Sequence, residues 1–476
     1  RMLALIAELR AKEQLVRDQS AAKKEVFHKR GQLLPRERLE QLLDPGAPFL
    51  ELSTLAGLGM HDDDGAAKAS GGGCITGIGT VQGRRCLVFV HDSAIKGGAI
   101  SPMGLKKTLR AQAIALENKL PVINLVESGG ANLLYQSEVY VEGGRYFYNM
   151  ARLSAAGIPQ ITIVHGSSTA GGAYVPGLSD YVVVVRGRSK IFLAGPPLTK
   201  AAIGEVATDE QLGGAEMHAT VSGTAEYIAD DDAQAISITR ELLSKIPWAP
   251  HADPELSYAE PRHDAEELLS VVPEDYRKPY DVHEVIARIV DDSDFLDFKA
   301  GYGPQTVCGH AAIEGHPVGI IGNNGPIDAR GAAKAAHFIQ ACCQSGTGII
   351  YLQNTTGYMV GTKAEQGGIV KHGAKMIQAV ANATVPQITI LIGGSFGAGN
   401  YGMCGRSYDP RFLFAWPNSR IAVMGGDQAA KVMETITIDK HHRAEKPVSR
   451  KALAKMSEGI KRQLDAESSP YFATAR

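Results

Sequence analysis

The chain has 476 residues, with 49 Lys plus Arg against 51 Asp plus Glu and a net charge of −2 when histidine is neutral. At roughly 150 residues per domain it forms two or three domains, and its balanced charge excludes the strong field that gathers nucleic acid or an anionic membrane. Hydrophobic residues make up 44%, enough for a large core, whereas aliphatic tracts such as Val182–Val185 are far too short to span a membrane.

Residues 1 to about 44 are charged and leucine-rich, with Leu3, Ile6, Leu9 and then Leu39, Leu42, Leu43 at helical spacing around a break at Gly31 to Pro35. They predict helical arms. From Ile75 the pattern turns to short β-branched runs, Gly83–Val90, Val122–Val126, Ile161–Val164 and Tyr181–Val185, with helical stretches at Leu105–Glu117 and Gly144–Ala156 between them. Strand, glycine loop and helix recur, which is the pattern of an α/β fold. Between Pro247 and Pro279 six prolines predict irregular chain. The expected organisation is a first domain over residues 1–246, a linker over 247–280 and a second domain over 281–476. The six cysteines show no CxxC spacing, so neither a zinc ribbon nor a disulfide framework is signalled and a reducing compartment is expected. No apolar signal core follows Met2.

The two halves resemble each other. A shift of 227 lays Pro159–Ile163 on Pro386–Ile390 and matches Gly166, Ser168, Gly172, Tyr174 and Tyr181 with Gly393, Ser395, Gly399, Tyr401 and Tyr408, ten identities over 23 positions. Chance supplies about two. Phe49-Leu-Glu-Leu52 likewise resembles Phe295-Leu-Asp-Phe298. Each copy runs from a strand into a small-residue turn and a helix, Gly166-Ser-Ser-Thr-Ala-Gly-Gly-Ala-Tyr174 and Gly393-Gly-Ser-Phe-Gly-Ala-Gly-Asn-Tyr401. A helix start leaves backbone N–H groups unpaired at the positive end of its dipole. Small side chains let a ligand approach them, so Gly171 with Gly172, and Ala398 with Gly399, are two candidate oxyanion holes. The alternative is that these glycines only permit tight strand-to-helix packing. Gly397–Gly402 formally matches GxGxxG, but no acidic residue follows about 20 positions on and the first copy breaks the pattern, so a dinucleotide site is not supported.

Other candidates are weaker. His165 and His337 sit in apolar contexts and read as core histidines rather than metal ligands. Glu127, at a strand end, is either a general base or the cap of the neighbouring turn. Ser167 and Ser168 lack the GxSxG frame of a hydrolase elbow. Lys106, Lys107 and Arg110 read as a solvated helix face, with phosphate binding as the alternative.

Glu127-Ser-Gly-Gly-Ala-Asn132, Ser168–Tyr174, Phe192-Leu-Ala-Gly-Pro-Pro197, Gly204-Glu-Val206, Gly322-Asn-Asn-Gly325, Gly357–Gly361 and Gly397–Gly405 together resemble the carboxyltransferase β subunits of biotin-dependent acyl-CoA carboxylases, in the crotonase-like superfamily. Ala398–Cys404 and Gly322–Asn324 resemble the branch acting on methylcrotonyl-CoA and geranyl-CoA, and His165–Thr169 and Val141–Arg145 lean toward the geranyl type. The resemblance implies two tandem crotonase-like domains behind a helical N-terminal arm, the first binding acyl-CoA and the second carboxybiotin, with each active site at a dimer interface. It implies proton removal by the biotin ureido nitrogen, carboxylation of the γ carbon of a branched enoyl-CoA, Gly171 and Gly172 on the thioester oxygen, and Ala398 and Gly399 on the ureido oxygen. Gly129, Gly130, Ala131, Ala170, Tyr174, Phe396, Gly397, Asn400 and Tyr401 are then expected to bind substrate, with Tyr140 to Phe147 and the Phe396 region setting acyl-pocket depth. No metal is expected. Biotin is expected on a partner α subunit with biotin carboxylase and carrier domains, since no Ala-Met-Lys-Met stretch occurs here. A β hexamer inside a complex of six α and six β subunits is the implied assembly, without nucleic acid or membrane, in the cytoplasm or, for a eukaryotic source, the mitochondrial matrix. Family members also continue past the position of Arg476. A biotin-dependent decarboxylase or transcarboxylase subunit and a non-catalytic scaffold β subunit are the alternatives; the absence of the four-cysteine module argues against one acetyl-CoA branch.

Overall fold

A computed structural model of the chain describes residues 1–61, 63, 70–248, 256–445 and 447–476. It divides into two compact units, residues 10–252 with 474–476, and residues 1–9 with 253–473. The arm forms the helices Met2–Ala21, Lys24–Lys29 and Pro35–Leu42. The last starts where Pro35 supplies a preset φ at the first helical position and Glu37 accepts the Leu34 N–H.

In the first unit β1 (Leu50–Leu52), β2 (Cys74–Val81) and β3 (Arg84–His91) are antiparallel, and β4 (Val122–Ser128), β5 (Gln160–Thr169) and β6 (Tyr181–Val185) extend the sheet in parallel. The short β7 (Lys190–Phe192) pairs with the end of β5, and β8 (Tyr227–Ala229) with β6. In the second unit β9 (Leu296–Asp297), β10 (Thr306–Ile313) and β11 (His316–Asn323) are antiparallel, β12 (Gly348–Thr355), β13 (Gln387–Phe396) and β14 (Phe412–Ala415) follow in parallel, and β15 (Arg420–Ala422) pairs with the end of β13. The same path is thus drawn twice. The parallel crossover from β3 to β4 runs through the helix Pro102–Asn118, and that from β11 to β12 through Ala329–Ser345; both have 17 residues, with Ser101 and Asp328 as N-caps.

The repetition reaches individual atoms. Both antiparallel hairpins turn on two residues with positive φ, Gln82-Gly83 and Glu314-Gly315, and an aspartate accepts both turn N–H groups in each: Asp44 in the first unit, Asp291 in the second. A Cβ on Gly77 or on Gly309 would meet a phenylalanine ring at 2.4 Å, that of Phe49 or Phe295 respectively. The aromatic resemblance seen in the sequence therefore marks the place where β1 and β9 close over the glycine of the next strand.

The first core lies between the sheet and the helices Pro35–Leu42 and Asp232–Lys245, where Leu39, Leu42, Ile236 and Leu243 pack on Val88, Ile123, Ile161 and Ile163. The second unit buries Phe338, Ile339, Tyr351 and Met376 on one sheet face and Val282, Ile286, Ile320 and Leu352 on the other. Within the stretch 247–280 that the prolines predict as irregular, Pro250 and Pro254 lie outside the described residues. Beyond them, Ala265–Glu267 and Leu268–Val271 form short helices and Val272 is buried, because no proline interrupts residues 262–272. Among the described residues no helix is long and apolar enough to cross a membrane.

Gly309→Ala is expected to lower thermal stability by about 1–3 kcal/mol, the usual cost of overpacking, because Phe295 and the Leu296 carbonyl both lie within 2.5 Å of the new methyl. An unchanged melting temperature would contradict this packing.

Candidate active site

Neighbouring parallel strands lose their register at the same point in both units. The β4–β5 ladder pairs Val126 with Val164 and next pairs Ser128 with Ser168; the β12–β13 ladder pairs Gln353 with Leu391 and next Thr355 with Ser395. One residue on the first strand, Glu127 or Asn354, thus faces three on the second. Beyond the slip two turns lie side by side. In the first unit Gly130, at φ +99°, lets its carbonyl accept the Ile100 N–H while Asn132 donates back to Ile100; in the second Gly357, at φ +116°, and Met359 do the same around Ile327. Ala131 and Tyr358 are the bridge residues of these loops.

The second turn of each pair is the small-residue segment. Thr169 ends β5, Ala170–Ala173 makes a tight turn and Tyr174–Leu178 continues as helix; Phe396 ends β13 and Ala398 caps the helix Gly399–Gly402. The residue after the strand takes the left-handed conformation in both, φ +54° at Ala170 and +56° at Gly397. Gly171 and Ala398 are exposed and Gly172 is half-buried. A Cβ at Gly171 would meet nothing nearer than Phe147 at 4.0 Å, whereas one at Gly399 would sit 2.8 Å from the Gly357 Cα. The two turns of the second unit are therefore in backbone contact.

What lies behind the turns differs. In the first unit Val126, Ser128, Ser168, Gly172 and Val175 line a half-open cavity with Phe89, Leu105, Thr108 and Tyr146, and water-sized spheres fit over about 40 Å³ of it. Its one histidine, His91, is held neutral by burial, its pKa lowered to about 4. In the second unit the positions of Val126, Ser168 and Ala173 are occupied by Gln353, Ser395 and Asn400, which bond to one another: Ser395 donates to Gln353 at 2.5 Å, Asn400 to Ser395 at 2.8 Å, and Gln353 to the Met403 carbonyl at 2.6 Å. A polar plug fills what is an apolar hollow in the first unit.

The carboxyl transferase domain family matches residues 27–476. This chain belongs to that family. A Drosophila melanogaster protein named as a probable mitochondrial methylcrotonoyl-CoA carboxylase beta chain is 51% identical over 467 residues, covering 94% of this chain and 80% of its own. The Mycobacterium tuberculosis biotin-dependent 3-methylcrotonyl-coenzyme A carboxylase beta1 subunit is 51% identical over 451 residues, covering 94% and 84%. The crystal structure of the Pseudomonas aeruginosa (P. aeruginosa) geranyl-CoA carboxylase beta subunit superimposes with a TM-score of 0.92 at 59% identity, over 100% of this chain and 88% of that one. The α/β fold with two tandem crotonase-like domains and a helical arm is thus that of carboxyl transferases.

Within this carboxyl transferase fold the residues singled out from the sequence separate by role. Gly129, Gly130, Ala131, Ala170, Gly171 and Gly172 gather at the first pair of turns, and Gly397, Ala398 and Gly399 at the second. Tyr174 and Tyr401 are each roughly half exposed beside their turns, against Phe147 and Tyr408. Phe396 and Asn400 point inward instead. Phe396 is buried on Tyr276 and Asn400 is spent on the plug, so neither side chain reaches the turn surface. Gly357 and Tyr358, the counterparts of Gly130 and Ala131, stand in the sequence only as part of the motif Gly357–Gly361 with no role assigned, although the 227 offset from Gly130 arrives at Gly357.

Three weaker readings are corrected. His337 is exposed on the helix Ala329–Ser345 and accepts from Lys299, so it is no core histidine. Lys107 is buried and donates to the Gly71 and Cys74 carbonyls, because the loop before β2 folds over its helix. Glu127 neither caps the turn nor stands free as a base. Burial raises its pKa, but the charge and hydrogen bond of Arg38 and a bond from Ser93 outweigh this and hold the carboxylate below its ordinary range. Behind it, His165 is fully buried and its Nδ1 bonds Asp232 at 2.9 Å. Among the described residues no cluster of His, Cys, Asp or Glu could hold a metal ion.

Two stability outcomes follow from this geometry. Gly397→Ala should cost about 1 kcal/mol in thermal unfolding, since an L side chain in the left-handed region carries that penalty, while Ala170→Gly should cost nothing measurable. Burial would raise the Asp232 carboxyl, yet bonds from His165 and Leu33 and the Arg38 charge hold it at about 2 against an ordinary 3.8. A depressed carboxylate stabilises the fold above the unfolded value and loses that contribution as pH falls toward 2. Wild-type stability should therefore drop between about pH 4 and 2, and Asp232→Asn should flatten that segment in acid titrations followed by circular dichroism.

Proposed function

We propose that the chain is the carboxyltransferase β component of a biotin-dependent acyl-CoA carboxylase, moving a carboxyl group from carboxybiotin to the γ carbon of a branched enoyl-CoA of the methylcrotonyl or geranyl type. The observation that carries the reading is the asymmetry between two equivalent pairs of turns. Each offers backbone N–H groups, but the first opens onto an apolar hollow suited to an acyl chain, whereas the bonded side chains of Gln353, Ser395 and Asn400 stand behind the second.

The acyl thioester then lies across the first turns, its chain toward Val126, Leu105 and Tyr146, and its carbonyl oxygen accepts N–H bonds from Gly171 or Gly172 and from Ala131, the Gly130 N–H being bonded to the Ser128 hydroxyl. Donors aimed at an oxygen that gains charge act without reorganisation. The exposure of Gly171 suits a substrate that must approach the main chain. Carboxybiotin supplies the carboxyl group and, once that group has left, a basic ureido nitrogen. On the second side the Ala398 and Gly399 amides, next to Gly357, form a narrow cradle backed by the Gln353–Ser395–Asn400 plug, which suits a compact ureido oxygen better than a long chain. Glu127, the carboxylate at the slip, is bound as an ion pair with Arg38, in agreement with a base carried by biotin.

The apolar rims support completion of each site by a second subunit. Leu133, Leu134, Tyr140 and Val141 are exposed around the first turns, and Val360, Val370, Tyr401 and Val423 around the second, a density that marks interaction surfaces. We assign these rims to pairing of the first unit of one β chain with the second unit of another, within a β hexamer that binds an α subunit carrying biotin. A cytoplasmic or mitochondrial matrix location accords with this role.

The test is reconstitution with a biotin-bearing α subunit, ATP and bicarbonate on geranyl-, 3-methylcrotonyl- and propionyl-CoA. ATP-dependent carboxylation of one or both branched thioesters, with propionyl-CoA slow, is expected; failure with all three overturns the reading. Gly171→Val should keep the fold and lower kcat by on the order of 100-fold through blocked donors.

A further inference from the structure

The register slip in the first unit is held by a device that its duplicate lacks. Glu127, the residue at the slip, receives Arg38 Nη1 at 2.6 Å, the Ser93 hydroxyl at 2.8 Å and Gln32 Nε2 at 3.1 Å. Arg38 is almost fully buried and its Nε bonds Asp232 at 3.3 Å; Asp232 also accepts from the Leu33 N–H and bonds His165, the residue opposite the slip on β5. A Cβ at Gly166 would lie 2.8 Å from the Glu127 carboxyl, so the glutamate side chain is wedged across β5 just before its turn. In the second unit Asn354 makes the same crossing over Gly393 with neutral bonds to the neighbouring strands: its Oδ1 accepts the Gly394 N–H and its own N–H donates to Asn323 Oδ1. His165 is there replaced by Ile392.

The fold therefore forms this slip without buried charge. A buried ion pair is a poor source of stability against a neutral alternative, and among the described residues Arg38 Nη2 and His165 Nε2 of this network meet no hydrogen-bond partner. We propose that Glu127 is a positioning residue for the acyl side: clamped by Arg38 and Ser93, it fixes the spacing between the Ala131 amide, next to a Gly130 N–H that is bonded to Ser128, and the Gly171–Gly172 amides, and so sets how well they meet a thioester oxygen as charge builds on it. The inference rests on the acyl-CoA assignment above. Glu127 touches no substrate; it acts through the backbone on either side of the slip.

The experiment uses the full β chain, alone and with its α partner. Glu127→Gln keeps the shape and the Ser93 bond but loses the charge that holds Arg38. It should lower kcat on the order of 10- to 100-fold, the range that sub-ångström to ångström misplacement produces, with KM for acyl-CoA changed less than about twofold because ground-state contacts remain. Arg38→Lys, which cannot span both carboxylates with a fork, should give a parallel loss, and the double variant should be no worse than the poorer single one. Amide hydrogen exchange on the β chain alone should quicken at residues 128–132 and 168–174 and stay unchanged at 355–360 and 395–401. Unchanged exchange at the first pair of turns overturns the proposal, as does full kcat, or a loss confined to Glu127→Gln that would make it a proton-transferring group. If Glu127→Gln fails to fold, Ser93→Ala, which removes one bond to the same carboxylate, carries the same expectations at smaller size. Should the wild-type complex carboxylate no acyl-CoA, the exchange measurement still decides this inference.

Discussion

The structure depends on a backbone constraint: two neighbouring parallel strands can present amides to one ligand only beyond the point where their pairing stops. A continuous ladder would consume those N–H groups in sheet bonds. The slips at Glu127 and Asn354 shift the strands against each other, the N–H groups are released beyond the last pairs, Ser128–Ser168 and Thr355–Ser395, and the positive φ of Gly130, Gly357, Ala170 and Gly397 aims the freed chain. The crossover helices, the capped hairpins and the glycines under Phe49 and Phe295 keep the strands in the register from which that release occurs.

Given this constraint, the two units have diverged behind the turns rather than at them. Small apolar residues at 126 and 173 leave space, while Gln353 and Asn400 close it with hydrogen bonds. The donors are common to both, since each must receive an oxygen that gains negative charge, and what each unit recognises beyond that oxygen is decided one layer deeper.

Local patterns and the internal repeat were legible in the sequence; long-range pairing was not. The β-branched runs predicted β3 to β6, Pro35 marked the start of the third helix of the arm, and the 227 offset located both small-residue turns. Arg38, Glu127 and Asp232 stand 89 and 194 positions apart in their bonded pairs, and nothing in their flanking residues distinguishes a buried charge from a solvated one. Lys107 was misread for the same reason: its helical neighbours are charged, but a loop that folds over it satisfies the ammonium with two carbonyls. Asn400 misled because motif position fixes a backbone and leaves the direction of the side chain to packing.

The Gln353–Ser395–Asn400 set also bears on how the second unit could ever change its ligand. Each member satisfies another, so trimming one strands a buried polar group, and the penalty for that exceeds what a small hollow would return. Remodelling this half into a receptor for greasy substrates therefore asks for Gln353 and Asn400 to change together, since the serine between them is common to both units, and single-step drift toward such a receptor is penalised.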